Sequence, residues 1–143
     1  MQPLTVPGTL DSLSAIADYV KSAAAAGGLD KKVAYKLRLA VDEIATNIII
    51  HGYQEAGSQG LIDLQADINE QAVTLYIEDT GEGFDPFQKL SVEEELVHLP
   101  IEQRPLGRLG VYLAIQGVDK FLYERVGKRN RNIFVVNRQQ LTA

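Results

Sequence analysis

The stretch Leu39-Ala-Val-Asp-Glu-Ile-Ala-Thr-Asn-Ile-Ile-Ile-His-Gly-Tyr53 has the spacing of a helix but carries polar residues along the border of its apolar face. At about 100° per residue, Val33, Leu37, Ala40, Val41, Ile44 and Ile48 form one stripe, and Glu43, Asn47 and His51 climb its edge at spacing i, i+4. Asp42 falls on the opposite, solvated side. A polar group held beside the core without a partner costs about 1 to 3 kcal/mol. The edge therefore predicts something for Glu43 and Asn47 to meet.

The rest of the chain arranges itself around that helix. Asp30 is placed to cap its start, and Gly52 to mark its end. Upstream, residues 2–7 read as a short edge strand limited by Pro3 and Pro7, because proline cannot donate to a ladder. Leu10, Leu13, Ile16, Ala17, Val20 and Ala24 then recur with a helical period, between Thr9 or Asp11 as candidate caps and Gly27-Gly28 as the stop. Downstream of Gly57-Ser-Gln-Gly60, residues 61–68 alternate, with Ile62, Leu64, Ala66 and Ile68 opposite Asp63, Gln65 and Asp67. A turn at Asn69-Glu70 leads into a second alternating run over 72–79, where Val73, Leu75 and Ile77 share one face. Parity places Asp79 on that same apolar face, immediately before Gly81-Glu-Gly83. A buried carboxylate needs donors, since burying it alone costs several kcal/mol or forces it to take up a proton.

Residues 84–106 show no sustained period, which predicts a functional loop or lid, with Ser91 as the cap of a short helix and Glu93-Glu-Glu95 as a solvated face. Gly107-Arg-Leu-Gly110 then opens a helix through Val111, Leu113, Ala114, Ile115 and Val118, and the free N–H groups of such a helix start suit phosphate. Residues 120–126 and 133–137 predict the strands of a closing hairpin, joined through Gly127-Lys-Arg-Asn130 with a solvated basic tip.

A length of 143 residues with 45% hydrophobic content fits one domain over 1–143. The net charge of −5 argues against broad attraction to nucleic acid or an anionic membrane. Cysteine is absent, which excludes disulfides and cysteine-ligated zinc. No basic leader precedes an apolar run, and no segment approaches the roughly 20 apolar residues of a membrane span. A soluble, cytoplasmic protein is the expectation.

Singly, each feature has an ordinary explanation: Glu43 and Asn47 as boundary residues, Asp79-Thr-Gly81 as a strand-ending turn, Gly107 and Gly110 as the opening of a helix. Together and in this order they supply what an ATP site requires. There is an amide for Mg²⁺, a carboxylate for a hydrogen bond, glycines for close backbone approach, and a helix N-terminus for phosphate.

These motifs resemble those of the GHKL (gyrase, Hsp90, histidine kinase, MutL) ATPase superfamily. Glu43-x-x-x-Asn47 resembles its N box, Asp79-x-Gly81-x-Gly83 its first glycine box, and Gly107-x-x-Gly110 its second. Within the superfamily the chain is most similar to the small bacterial anti-sigma-factor serine kinases of the RsbW and SpoIIAB type. That likeness is carried by Ala40-Val-Asp-Glu-Ile-Ala-Thr-Asn47 with His51-Gly-Tyr53, Arg104-Pro-Leu-Gly107 and Tyr123-Glu-Arg125. The resemblance implies a two-layer α/β sandwich, with helices on one face of a mixed, mostly antiparallel sheet.

It also implies roles. Asn47 would bind the Mg²⁺ that bridges the phosphates of ATP, Asp79 would accept from the adenine amino group, and Gly81 and Gly83 would let the chain pass close to the base. Glu43 would be the general base that takes the proton of a serine on an anti-anti-sigma (STAS) partner. Gly107, Arg108, Leu109 and Gly110 would border the phosphates, and His51 would pack or hydrogen-bond rather than catalyse; Arg104, at the end of the lid, is a candidate for phosphate or partner contact, with a plain solvated arginine as the alternative. A sigma factor as second partner and a homodimer are implied by the family alone. Relatives commonly carry two adjacent glycines in the second box, whereas Arg108 follows Gly107 here, so Arg108 either contacts the γ-phosphate or crowds the loop. The alternative function is a partner-switching module that uses nucleotide as a structural ligand or not at all.

Overall fold

The structure, a computed structural model, describes residues 1–83 and 115–139. It begins with an edge strand, β1 (Leu4–Pro7), and a 3₁₀ turn over Leu10–Ser12, followed by α1 (Leu13–Ala26). Neither Thr9 nor Asp11 caps α1, because the intervening 3₁₀ turn moves its start to Leu13. Ile16, Val20, Ala23 and Ala24 are its buried stripe. It ends where Gly28 takes φ +66°, with the Leu29 N–H donating to Ala24 O and the Gly28 N–H to Ala25 O, an arrangement that satisfies the last carbonyls.

The second helix, α2 (Lys31–Asn47), is capped by Asp30, whose Oδ1 accepts from the Val33 N–H at 2.9 Å. Leu37, Ala40, Val41 and Ile44 are buried and Asp42 is exposed, as the spacing predicts. The helical run ends at Gln54, close to Gly52 as expected, but its α-helical winding stops at Asn47. From Ile48 to Gln54 the chain continues as a wider π-helical turn, marked by the bonds Glu55 N–H to Ile50 O (2.8 Å) and Ser58 N–H to Tyr53 O (3.0 Å). Three successive β-branched isoleucines, stiff at χ1, crowd a regular helix, and the wider winding buries Ile48, Ile49, Gly52 and Tyr53 together. It also carries His51 off the Glu43–Asn47 edge. There His51 pairs with Glu55 at 2.8 Å.

Strands β2 (Leu61–Ile68), β3 (Ala72–Asp79), β4 (Lys120–Val126) and β5 (Arg129–Asn137) complete a sheet of order β1-β2-β3-β5-β4. Every pairing among the described residues is antiparallel. Ile62, Leu64, Ala66, Val73, Leu75, Ile77, Phe121, Phe134 and Val136 face α1 and α2 and form one core with them. The opposite face is polar: Arg129 bridges Asp63 and Glu78 at 2.9 and 3.1 Å, and Arg131 reaches Glu78 at 2.9 Å. The expected solvated tip therefore has one of its cations engaged across the sheet.

The closing hairpin is tighter than the sequence suggests. Its turn is Gly127-Lys128, with Gly127 at φ +60°, and β5 starts at Arg129 rather than Ile133. Asn130 and Asn132 thus become inward-facing strand residues, both 3% exposed. Asn130 lies directly across from Asp79 in the β3–β5 register.

Tyr53 ties these elements to the π-helical turn. Its hydroxyl donates to Leu61 O at 2.7 Å and accepts from the Thr80 N–H at 3.0 Å, and its ring lies so close to Gly60 that a Cβ there would sit 2.6 Å from it. Tyr53→Phe keeps the ring and leaves both backbone groups short of a partner. Urea denaturation is expected to show a loss of about 1 to 3 kcal/mol at unchanged slope.

Candidate functional site

The cleft forms where the end of β3 meets the junction of α2 and the π-helical turn. Ile48, Asp79, Glu82, Tyr123, Asn130 and Asn132 line it. Asp79, 2% exposed, accepts two hydrogen bonds on Oδ1, from the Gly81 N–H (2.9 Å) and from Asn130 Nδ2 (3.0 Å). Its other oxygen, Oδ2, is buried with no partner. Burial raises the Asp79 pKa, and the bonds from Asn130 and Gly81 and the charges of Arg125 and Arg129 oppose that rise. The donor predicted for this carboxylate is thus largely Asn130, which lies on β5 and not in the connecting turn that the sequence predicts.

Gly81 is held against the π-helical turn. The Glu82 N–H donates to Gly52 O at 3.0 Å, and a Cβ on Gly81 would lie 2.8 Å from that same carbonyl. The need for glycine at 81 therefore arises within the protein backbone, before any ligand is considered. A Cβ on Gly83 would meet the tip of the Arg125 side chain and, at 3.0 Å, Asn130 Oδ1.

On the helical side, Asn47 is buried at the last position of α2, and its Nδ2 has no partner. Glu43 stands one turn earlier and is half-buried. Its pKa is raised, first by burial and then by the neighbouring charge of Asp42. Asn47 directly precedes Ile48, which lines the Asp79 cleft, while Glu43 and Asn47 themselves are not among the residues that line it. Arg104, Gly107, Arg108, Leu109 and Gly110, with the lid expected at 84–106, lie outside the described residues. The helix expected after Gly110 is described only at its end, where Ile115 and Gln116 are helical and Ile115 is buried.

A family model for the histidine kinase-like ATPase domain matches residues 6–135. The chain belongs to that family. Among similar proteins, an anti-sigma F factor of Clostridium beijerinckii is 37% identical over 75 residues, covering 52% of this chain and 48% of that protein. An anti-sigma F factor of Clostridium novyi is 30% identical over 97 residues, or 67% of this chain and 62% of that protein. The serine-protein kinase RsbW of Staphylococcus aureus strain MRSA252 is 35% identical over 48 residues, 34% of this chain and 30% of that protein. The chain thus matches between about a third and three-fifths of the length of these relatives.

Solved structures agree on the fold. The histidine kinase domain of the Erythrobacter litoralis EL346 blue-light activated histidine kinase superposes with a TM-score of 0.54 at 18% identity, covering 88% of this chain and 59% of that one. The Acinetobacter baumannii histidine kinase AdeS gives 0.51 at 13% identity, covering 98% and 70%.

The family's nucleotide can be tested against the atoms present. Asp79 Oδ2, Asn132 Oδ1 and Asn47 Nδ2 are buried without partners in the protein, and two of these residues line the cleft itself. Buried polar atoms are normally paired, so Asp79 Oδ2 and Asn132 Oδ1 call for donors from outside the protein, and the space beside them, about 10 Å³, takes a water or the edge of a polar ligand rather than a whole ligand. Among the described residues no group of three or more His, Asp or Glu side chains is arranged to hold a metal ion. Magnesium commonly takes one or two protein ligands and fills the rest of its shell with phosphate and water, which suits a single amide.

Proposed function

We propose that this chain is an ATP-dependent protein serine kinase of the anti-sigma-factor type, which phosphorylates an anti-anti-sigma (STAS) partner and regulates transcription by partner switching with a sigma factor. The observation that supports it best is the buried, unpartnered Asp79 Oδ2 in the cleft wall, with Glu43 and Asn47 one turn apart on the helix that leads into Ile48 of that wall. The names of the similar proteins, anti-sigma F factor and serine-protein kinase, support the class.

In this function Asp79 Oδ2 accepts from the amino group of adenine, and Gly81 and Gly83 keep the β3 end low beside the base. Asn47 would hold Mg²⁺, and Arg104, Gly107, Arg108, Leu109 and Gly110 would border the phosphates. Bound Mg²⁺ would neutralise charge on the phosphate oxygens. Glu43, its pKa raised by burial and by Asp42, would take the proton from the serine hydroxyl of the partner as that oxygen bonds to the γ-phosphorus and the bond from the γ-phosphorus to the β,γ-bridging oxygen breaks, ADP leaving. A raised pKa makes the carboxylate a stronger base, at the cost of activity at low pH.

Incubation with γ-labelled ATP, Mg²⁺ and a candidate STAS protein tests this directly. Label recovered on a serine of the partner is the expected result. ATP binding without any transfer would sink the kinase and leave a nucleotide-dependent binding module.

A further inference from the structure

Asn130 is the most completely engaged polar side chain in the cleft. Its Nδ2 donates to Asp79 Oδ1 and to Gly81 O, both at 3.0 Å, while its Oδ1 accepts from the Tyr123 hydroxyl and from Arg125 Nη1, both at 2.8 Å. The amide's two donor hydrogens and both acceptor lone pairs are occupied, so its orientation is fixed. Were it flipped, an acceptor would face the Asp79 carboxylate and the Gly81 carbonyl, and donors would face a guanidinium and a phenol.

That fixed amide has a consequence for Asp79. Two donors, Asn130 Nδ2 and the Gly81 N–H, converge on Oδ1 and none reaches Oδ2. The carboxylate thereby has one oxygen engaged inside the protein and the other, also buried, left without a partner at the cleft that Asp79 lines.

We propose that Asn130 is a positioning residue, which pins Asp79 through Oδ1 and so makes Oδ2 a pure acceptor that selects a purine carrying an amino group, rather than an oxo group, at the edge it meets. The base-selecting half rests on the nucleotide reading of the cleft given above; the pinning half does not. A purine with an oxo group at that edge sets acceptor against acceptor. Without Asn130 the carboxyl group can turn or hold a proton, and a protonated carboxyl can donate to an oxo group. The charged and titratable groups around Asp79 are Arg125 and Tyr123 from β4, Arg129 from β5 and Glu82 from the following loop; the π-helical turn contributes Ile48 to the cleft and the Gly52 backbone to Gly81.

The test compares wild type with Asn130→Ala and with the near-isosteric Asn130→Asp. First, the ¹³C carboxyl resonance of Asp79 is titrated in the nucleotide-free protein. The midpoint is expected at higher pH in both variants, and an unmoved midpoint would overturn the pinning whatever the nucleotides do. Second, ATP and ITP affinities are measured by calorimetry across the same pH range. Asn130→Ala is expected to lose about tenfold of the ATP-over-ITP preference, with ATP affinity climbing as pH rises through the displaced midpoint. An equal loss for both nucleotides, with no change of ratio and no pH dependence, would make Asn130 merely structural and overturn the selection. A wild-type protein that binds neither nucleotide, with the carboxyl midpoint displaced as expected, supports the pinning and overturns the nucleotide reading.

Discussion

Glu43→Ala is expected to lower phosphoryl transfer to the partner serine by about 10² to 10⁴-fold while leaving ATP affinity within about twofold. The split follows from position. Glu43 is half-buried one turn before Asn47 and does not line the Asp79 cleft, so its removal leaves the residues proposed to hold base and metal in place. Single-turnover transfer measured beside equilibrium ATP binding checks both halves. Equal losses in the two would mean that Glu43 supports the site rather than acting as base. The pH profile adds a sign. A general base works only when deprotonated, so the rate falls as pH drops through the raised Glu43 pKa. Asp42→Asn removes the repulsion that contributes to that rise, and the acid limb is expected to move to lower pH.

Asp79→Asn is the second large effect, and here ligand binding and stability part company. The asparagine Oδ1 can keep the bonds from the Gly81 N–H and Asn130 Nδ2, while an NH₂ group replaces Oδ2 and opposes the adenine amino group donor to donor. ATP affinity is expected to fall about 10- to 100-fold, the range set by a buried mismatch of roughly 1 to 3 kcal/mol. Stability of the nucleotide-free protein moves the other way. Because the folded-state pKa of Asp79 is raised above its unfolded value, stability is fully present below the unfolded pKa and is lost as pH rises through the folded one. A neutral asparagine escapes that loss, so at neutral pH the variant is expected to melt no lower than wild type. Calorimetry with ATP and a thermal melt without it check the pair. Unchanged ATP affinity would remove adenine from Asp79.

The fold was legible wherever a period had a single cause. Ile62, Leu64 and Ala66 bury one face of β2, and Leu37, Ala40, Val41 and Ile44 bury the stripe of α2, because hydrophobic burial alone decided those positions. Sequence periodicity failed where another interaction won. Arg129-Asn-Arg-Asn132 alternates at period two with polar residues on both faces, which reads as a turn unless the demand of a buried Asp79 is placed across from it. That demand was visible in the parity of β3, and its partner was not, since register between β3 and β5 is a tertiary fact. The π-helical winding was likewise hidden. His51 continues a perfect i, i+4 series in the sequence, and only the joint burial of Ile48, Ile49, Gly52 and Tyr53 turns it away.

The same contrast holds for the candidate site. Asn47 and Asp79 announced themselves as polar residues on apolar faces, and both are buried with an unpartnered atom. Asn132, whose Oδ1 is also buried and unpartnered, carries no such signal because residues 129–132 are polar on both faces of β5 and no apolar alternation marks which side is buried.

The most direct measurement of ATP in the Asp79 cleft is an amide spectrum of the ¹⁵N-labelled protein titrated with ATP and Mg²⁺. The expected result is saturable shifts below about 1 mM at the side-chain amides of Asn47, Asn130 and Asn132 and at the backbone of Gly81 and Gly83, all suppressed in Asp79→Asn. No shifts at that concentration, or shifts confined to the outer sheet face around Asp63 and Arg131, would contradict it.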